Sequence, residues 1–391
     1  MMDRGRQGRR DGQTTLQGDR QMHERQGGGV AEMEMRQTPQ TAGATYYNRP
    51  MIKKPTWRWF IPFYFFIGGV GGGVALIGGL ADLIGGQRHR ATVRRARYIA
   101  LGAAMISPLL LIIDLGRPQR FHHMLRVFKA SSPLSVGTWV LLSFGLVSGA
   151  QAAHQAAEDN FILRRESWLG RLARLLPSKP LSLLQAALGV GLGGYTGILL
   201  AATAIPLWAT AGVLLGPFFL ATTLACGAAA LALTAVLRRG TPEDDKARAE
   251  IQMVATISGV AQIGLEVARE AMTPPTIGKP LRSGTWGMVY RIGAVGGGML
   301  APVALRLPAQ LRGRPMGRAI TVAAASLTLA GGLAERFAIV EAGKQSADDP
   351  EAYQEFSAGQ PGAARPTPQQ QALMAPKTKG VKARVAASDT R

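Results

Sequence analysis

The feature that most constrains this chain is a set of eight long apolar runs, at roughly 59–86, 93–114, 134–155, 182–204, 210–237, 251–268, 284–306 and 318–340. A bilayer core takes about 20 mostly apolar residues per helical crossing. Within that core the backbone must bond to itself, which leaves helices or a closed barrel. The alternating ten-residue segments of a barrel are missing from the sequence. Most runs carry no charge in their central turns, so eight membrane-spanning helices are predicted. The sixth is the most dilute, since it holds Gln252, Gln262 and Glu266. The first is dense in glycine (Gly68, Gly69, Gly71, Gly72, Gly73, Gly78, Gly79). In water each of these would cost a helix about 1 kcal/mol relative to Ala. In lipid, small residues let two helix backbones approach.

Composition narrows the chemistry. Charged residues make up 18% of the chain and the formal net charge is +21. The basic residues sit in short clusters between apolar runs rather than along one face, which argues against nucleic acid. Cys226 is the one cysteine, so a disulfide scaffold, a Cys-type zinc site and a Cys-ligated iron–sulfur cluster are excluded. Cys226 itself reads as a small core residue. His23 lies near the N-terminus, His89, His122 and His123 fall in loops, and His154 ends the third run. Facing histidine pairs for haem are not available. No haem or iron–sulfur cluster is therefore expected in this protein.

Residues 1–55 and 344–391 hold little to bury and read as disordered tails, either solvated extensions or docking arms for a partner. No apolar stretch follows the N-terminal charges, so a signal peptide is not expected. The loops after odd-numbered runs carry eighteen Lys/Arg and those after even-numbered runs seven. Positive loops stay cytoplasmic, which predicts both termini outside. The basic flank Arg49, Lys53, Lys54 and Arg58 pulls the other way.

A repeat divides the sequence. Pro133 through Trp139 and Pro280 through Trp286 both read Pro-Leu-x-x-Gly-Thr-Trp, each at the mouth of a run and four runs apart. The copies enter the membrane from one face. This predicts an all-α integral membrane fold of two four-helix bundles, 56–208 and 209–343. A shared helix-entry signal, with proline before the start and tryptophan at the interface, is the plainer alternative.

Ionisable and hydroxyl groups at membrane depth line sites or pair with one another. Tyr64, Asp114, Tyr195, Thr196, Glu266, Arg269, Tyr290, Arg291, Glu335 and Arg336 all fall in the outer halves of their runs. The inner halves hold few comparable groups. That asymmetry predicts an outer cavity for a polar-headed ligand, or a proton route opening there. Each residue also has a structural reading: an Asp114–Arg117 helix-end pair, Glu335 and Arg336 fixing bundle geometry, Tyr64 as an interfacial aromatic.

Ile113 through Pro118, followed by Arg126 through Lys129 and Ser132 through Trp139, resembles the signature stretch of the polysulfide-reductase membrane-anchor family, also called NrfD-like. The glycine-rich first run after Trp57-Arg58-Trp59 is similar to that family's first helix. Gly194 through Leu200 with Pro206-Leu207-Trp208 is similar to its fourth, and Gly332 through Pro350 to its last. The resemblance covers about 55–350 and implies eight helices in two bundles. It implies a subunit that binds a quinone or menaquinone non-covalently near the outer face of the cell membrane. Electrons would pass to or from a docked ferredoxin-like iron–sulfur subunit, beside a molybdopterin subunit. Related subunits occur in quinol-oxidising assemblies of the alternative complex III type.

Oxidising a quinol releases two protons, so a site for it needs donors to two ring oxygens and a buried acceptor. Asp114 is the candidate for proton handling, with Glu266 its counterpart in the second bundle. Tyr64 and Tyr195 are candidate donors to the ring; Arg117 and Arg336 would tune the carboxylates or hold the pocket. A proton- or ion-translocating subunit is a second possibility, favoured by charges continuing into the inner halves. A secondary transporter is a third, but helices broken at the midplane are its mark, and only Pro108 and Pro302 offer that, off-centre.

Overall fold

The computed structural model describes residues 52–85, 87–161, 166–236, 242–313 and 316–359. Eight helices among them are long and apolar enough to cross a membrane. They are α1 (Phe60–Ile84), α2 (Arg90–Asp114), α3 (Pro133–Glu158), α4 (Ser178–Ala201), α5 (Gly212–Val236), α6 (Pro242–Met272), α7 (Gly284–Leu311) and α8 (Arg318–Asp348). The 25 residues of α1 rise about 37 Å at 1.5 Å per residue, enough for a core of roughly 30 Å. Odd-numbered helices begin on one face, called here the near face, and end on the far face; even-numbered helices return.

Local chemistry sets the ends. Ser132 Oγ accepts from the Ser135 N–H at 3.4 Å, and Pro133 takes the first helical position of α3. Gly85, at φ 78°, closes α1 and donates its N–H to the Ala81 carbonyl.

By chain order α1–α4 are called here the first group and α5–α8 the second; α1 and α4 lie on α5, and α8 meets both α5 and α1. Glycine makes that junction. A Cβ on Gly73 would fall 2.0 Å from the Thr223 carbonyl oxygen, and one on Gly227 would fall 2.4 Å from the Gly73 carbonyl carbon. Here the two backbones touch with no side chain between them.

Helix α7 changes pitch. It is α-helical over Gly284–Met288, π-helical over Val289–Leu300 and α-helical again over Ala301–Leu311. The Ala301 N–H bonds to the Gly296 carbonyl, five residues back. Gly298 rests directly on Gly331 of α8. The middle of α7 is widened rather than broken, unlike the interrupted helices of transporters.

At the near face the strap 52–59 is tied to α8. Lys54 pairs with Asp348 at 2.7 Å, and Lys344 Nζ donates to the Trp57 carbonyl at 2.6 Å. Trp57 stacks on Trp208, whose Nε1 donates to the Ile339 carbonyl at 2.8 Å. The Trp208 indole lies flat against Gly343, in the space a Cβ would take.

The boundary expected at Lys344 is therefore displaced: α8 runs on to Asp348. Asp349 then caps a further helix, Pro350–Ala358, by accepting from the Glu351 N–H. Residues 52–55, expected in the N-terminal tail, belong to the strap. The remainder of both tails lies outside the described residues, as do Arg164, Arg165, Arg238, Arg239 and Arg314 of the loop count.

Candidate functional site

Two buried phenols lie in the first group near the near face. Tyr64 is four residues into α1 and Tyr195 six residues before the end of α4, so both sit roughly 6–9 Å deep. They are 3% and 9% exposed, and Tyr64 faces α4 at Gly68, where Leu192, one turn before Tyr195, also packs. Neither hydroxyl has a hydrogen-bond partner among the described residues. The Tyr195 ring lies over Gly137 of α3, where a Cβ would fall 1.8 Å from Cζ. Gly137 is the glycine of the first repeat copy. On the other side of Tyr64, Gly68 opens space facing Ser107 Oγ and Leu192. Ser107 is fully buried and its hydroxyl is unpartnered. Buried hydroxyls usually find partners; the Ser107 hydroxyl has none, and with the two phenols it makes a place where a ligand's oxygens could be bonded.

Asp114 ends α2 at this same face. It pairs not with Arg117 but with Arg58: the Arg58 backbone N–H donates at 3.2 Å and Nε lies 3.7 Å away. Arg117 is exposed and begins the 3₁₀ turn Pro118–Leu125. Asp114 thus adjoins the strap, about a turn and a half of α1 from Tyr64.

The second group holds a denser network. Glu335 is fully buried and accepts from Thr222 Oγ1 at 3.0 and 2.9 Å, from Gln262 Nε2 at 2.7 Å and from Arg336 at 2.9 Å. Arg336 also donates to the Phe219 carbonyl, and its guanidinium carbon lies 3.4 Å from the Phe219 ring centroid. Glu266 takes two bonds from Arg269, at 2.9 and 2.8 Å, and Arg269 donates to the Tyr290 hydroxyl at 2.9 Å. Gln262, Glu266 and Arg269 fall at i, i+4 and i+7 of α6, one face of a helix. Glu266 and Arg336 therefore lie with α5–α8, apart from the two tyrosines. Arg336 comes close to α1 at Gly69, where a Cβ would stand 4.0 Å from its guanidinium. Arg291 is exposed and donates to the Arg282 carbonyl.

The expected one-sidedness does not hold. On the far face of the first group, Asp82 Oδ2 accepts from Arg97 at 3.0 Å, Ser178 at 3.3 Å and Ser182 at 2.5 Å. Gln151 Nε2 donates to Ser182 at 2.7 Å, while its Oε1 is buried and unpartnered. In the second group Arg306, 1% exposed, donates to Thr328 at 2.9 Å, and Cys226 Sγ faces the Thr328 carbonyl. Arg97 and Arg306 count as loop charges along the sequence. The helices overrun the apolar runs, so each lies more than a turn inside its helix.

The repeat copies also diverge. Gly137 is inside the first turn and a half of α3, whereas Gly284 has φ 73° and starts α7 after a short helix, Pro275–Arg282. Asp82 and Thr222 were invisible as site residues. Asp82 ends an apolar run, and a hydroxyl such as Thr222 carries no hydropathy signal. His154, left without a partner by the sequence, faces the Ala173 carbonyl at 3.2 Å.

These features can be set beside known proteins. The protein is similar to NrfD of Escherichia coli K12, 26% identical over 309 residues that cover 74% of this chain and 95% of the relative. It is similar to the C subunit of polysulfide reductase from Wolinella succinogenes, 28% identical over 159 residues, covering 37% of this chain and 48% of the relative. The family model described as "Polysulphide reductase, NrfD" matches residues 48–347, all eight helices included, and the protein belongs to that family of multi-pass membrane proteins.

Proposed function

We propose that the protein is the quinone- or quinol-interacting membrane subunit of a multi-subunit oxidoreductase, with the site between α1, α3 and α4 beneath the near face. The observation that carries this reading is a set of three hydroxyl side chains under the near face: Tyr195 against Gly137, Tyr64 beside Gly68, and the buried, unpartnered Ser107 hydroxyl facing that same glycine. Two phenol donors can hold the two oxygens of a quinone ring. A bound quinone or menaquinone supplies two-electron, two-proton chemistry. Tyr64 and Tyr195 orient its ring, and the indole pair at Trp57 and Trp208 walls off the strap side. Asp114, the acid at that face, would pass the two protons one after the other to the water beyond, and Arg58 pairs with its carboxylate.

The near face is the extracytoplasmic one in this reading, with both termini outside, as the loop charges argue. A ferredoxin-like iron–sulfur subunit docks there to carry the electrons, beside a molybdopterin subunit. The name of the Wolinella relative, one subunit of a reductase, supports an assembly of several subunits. Glu266 and Arg336 serve the second group, and Arg117 lies at the docking surface.

The test uses the purified complex. Tyr195→Phe is expected to weaken competition by a quinone analogue at least tenfold, the effect of losing about 1.4 kcal/mol. Asp114→Asn is expected to abolish quinol-linked turnover while the complex still assembles. Unchanged turnover rejects the role.

A second reading, a proton-translocating subunit of an alternative complex III-like assembly, has its own observation: buried acids and arginines in both halves of both groups, Asp82–Arg97 and Glu335–Arg336 among them. Vesicle measurements of protons moved per quinol separate the two, since chemistry alone releases two protons on one side.

A further inference from the structure

We propose that the helix Trp168–Leu175, in the far-face connection between α3 and α4, is a binding site for anionic phospholipid headgroups of that leaflet. The sequence divides this helix into three sectors. Gly170 and Ala173 are buried and seat it on α3. Trp168, Leu172 and Leu175, at i, i+4 and i+7, form one bare stripe with exposures of 69%, 56% and 79%. Arg171 is exposed on the remaining side, and the half-buried Arg174 beside it donates Nε to the Gly170 carbonyl at 3.4 Å. No acidic residue lies between Trp168 and Lys179.

Depth identifies what the stripe meets. The Ala173 carbonyl faces His154, four residues before α3 ends, so the helix lies alongside the end of the span and about 6 Å below it. That level is the boundary between acyl chains and headgroups. Helix α3 is itself one of the spans left most bare by its neighbours. A stripe of Trp and Leu flanked by arginines at this level is the pattern of a helix lying in the membrane surface. The charges select the occupant: a zwitterionic headgroup offers Arg171 and Arg174 no net charge, whereas a phosphodiester with no compensating amine does.

Trp168 is the reporter. The full-length protein is placed in vesicles of phosphatidylcholine containing phosphatidylglycerol, with brominated acyl chains on one lipid or the other. The quenching lost in Trp168→Phe isolates this residue from the other tryptophans. Quenching is expected to be stronger with bromine on phosphatidylglycerol, and to lose that preference as salt rises. Arg171→Gln with Arg174→Gln is expected to lower the preference about 25-fold, about fivefold for each arginine. The salt series on the unmodified protein stands even where the double variant folds poorly. Equal quenching from both lipids overturns the proposal. So does an absence of quenching at Trp168, which would mean that a protein surface covers the stripe.

Discussion

Gln262 on α6 and Glu335 on α8 are joined by a 2.7 Å hydrogen bond in the interior of the second helix group. With Thr222 and Arg336 it completes the satisfaction of a carboxylate that has no access to water. A buried charge of this kind is tolerable only while every partner is present.

Arg336→Met removes the cation and leaves Glu335 stranded. A destabilisation of about 3–5 kcal/mol is expected, since an uncompensated buried charge remains. Adding Glu335→Leu to that variant is expected to recover most of the loss, because neither charge is then buried alone. Thermal unfolding in detergent measures both. Equal loss in the single and double variants would contradict the pairing.

Gly137→Ala places a methyl group where the Tyr195 ring lies, 1.8 Å from Cζ. The ring must move, and quinone-analogue binding is expected to fall at least tenfold, or about 1.4 kcal/mol. Gly284→Ala is the matched control from the second repeat copy. It meets no atom within 4 Å but sits at φ 73°, so it is expected to lower stability by about 1–2 kcal/mol and leave binding alone.

Arg97 bridges three helices, through one nitrogen to Gln155 and through the other to Asp82 and Ser178. A lysine cannot reproduce that fork. Arg97→Lys is expected to cost about 1.5–3 kcal/mol, the range for hydrogen bonds to charged groups. Chemical denaturation in detergent checks it; a variant as stable as the parent would show that the fork is dispensable.

Gly73→Val drives a branched side chain into the Thr223 carbonyl, 2.0 Å from where Cβ would stand. The backbone cannot yield as a side chain would, and a loss above the roughly 1–3 kcal/mol of ordinary overpacking is expected. Gly102→Ala, with nothing within 4 Å, is expected to leave folded yield unchanged. Size-exclusion profiles of the two variants give the comparison.

The eight crossings were legible because hydrocarbon sets a minimum length and forbids unpaired backbone, and both demands are written directly into the sequence. The glycines of the first run likewise announced close packing, though not that Gly73 would meet Gly227. Helix ends were less legible. Arg97 and Arg306 are charged and near run ends, so they count with the loops, whereas the helices bury them against partners on other spans. The phenols of Tyr64 and Tyr195 could be named from their depth alone. The seating of Tyr195 over Gly137 depends on how α3 and α4 lean together, which no single run encodes. Depth places Arg336 along the membrane normal and is silent about the partners it finds there, Glu335 and the Phe219 carbonyl.

The contact between Gly73 and Gly227 has a mechanical consequence. Two halves that rocked against each other would need a lubricating layer of side chains to slide on, and here bare main chain grips bare main chain. The molecule is keyed together at its waist. A side chain added at either glycine would have to prise the two helices apart there.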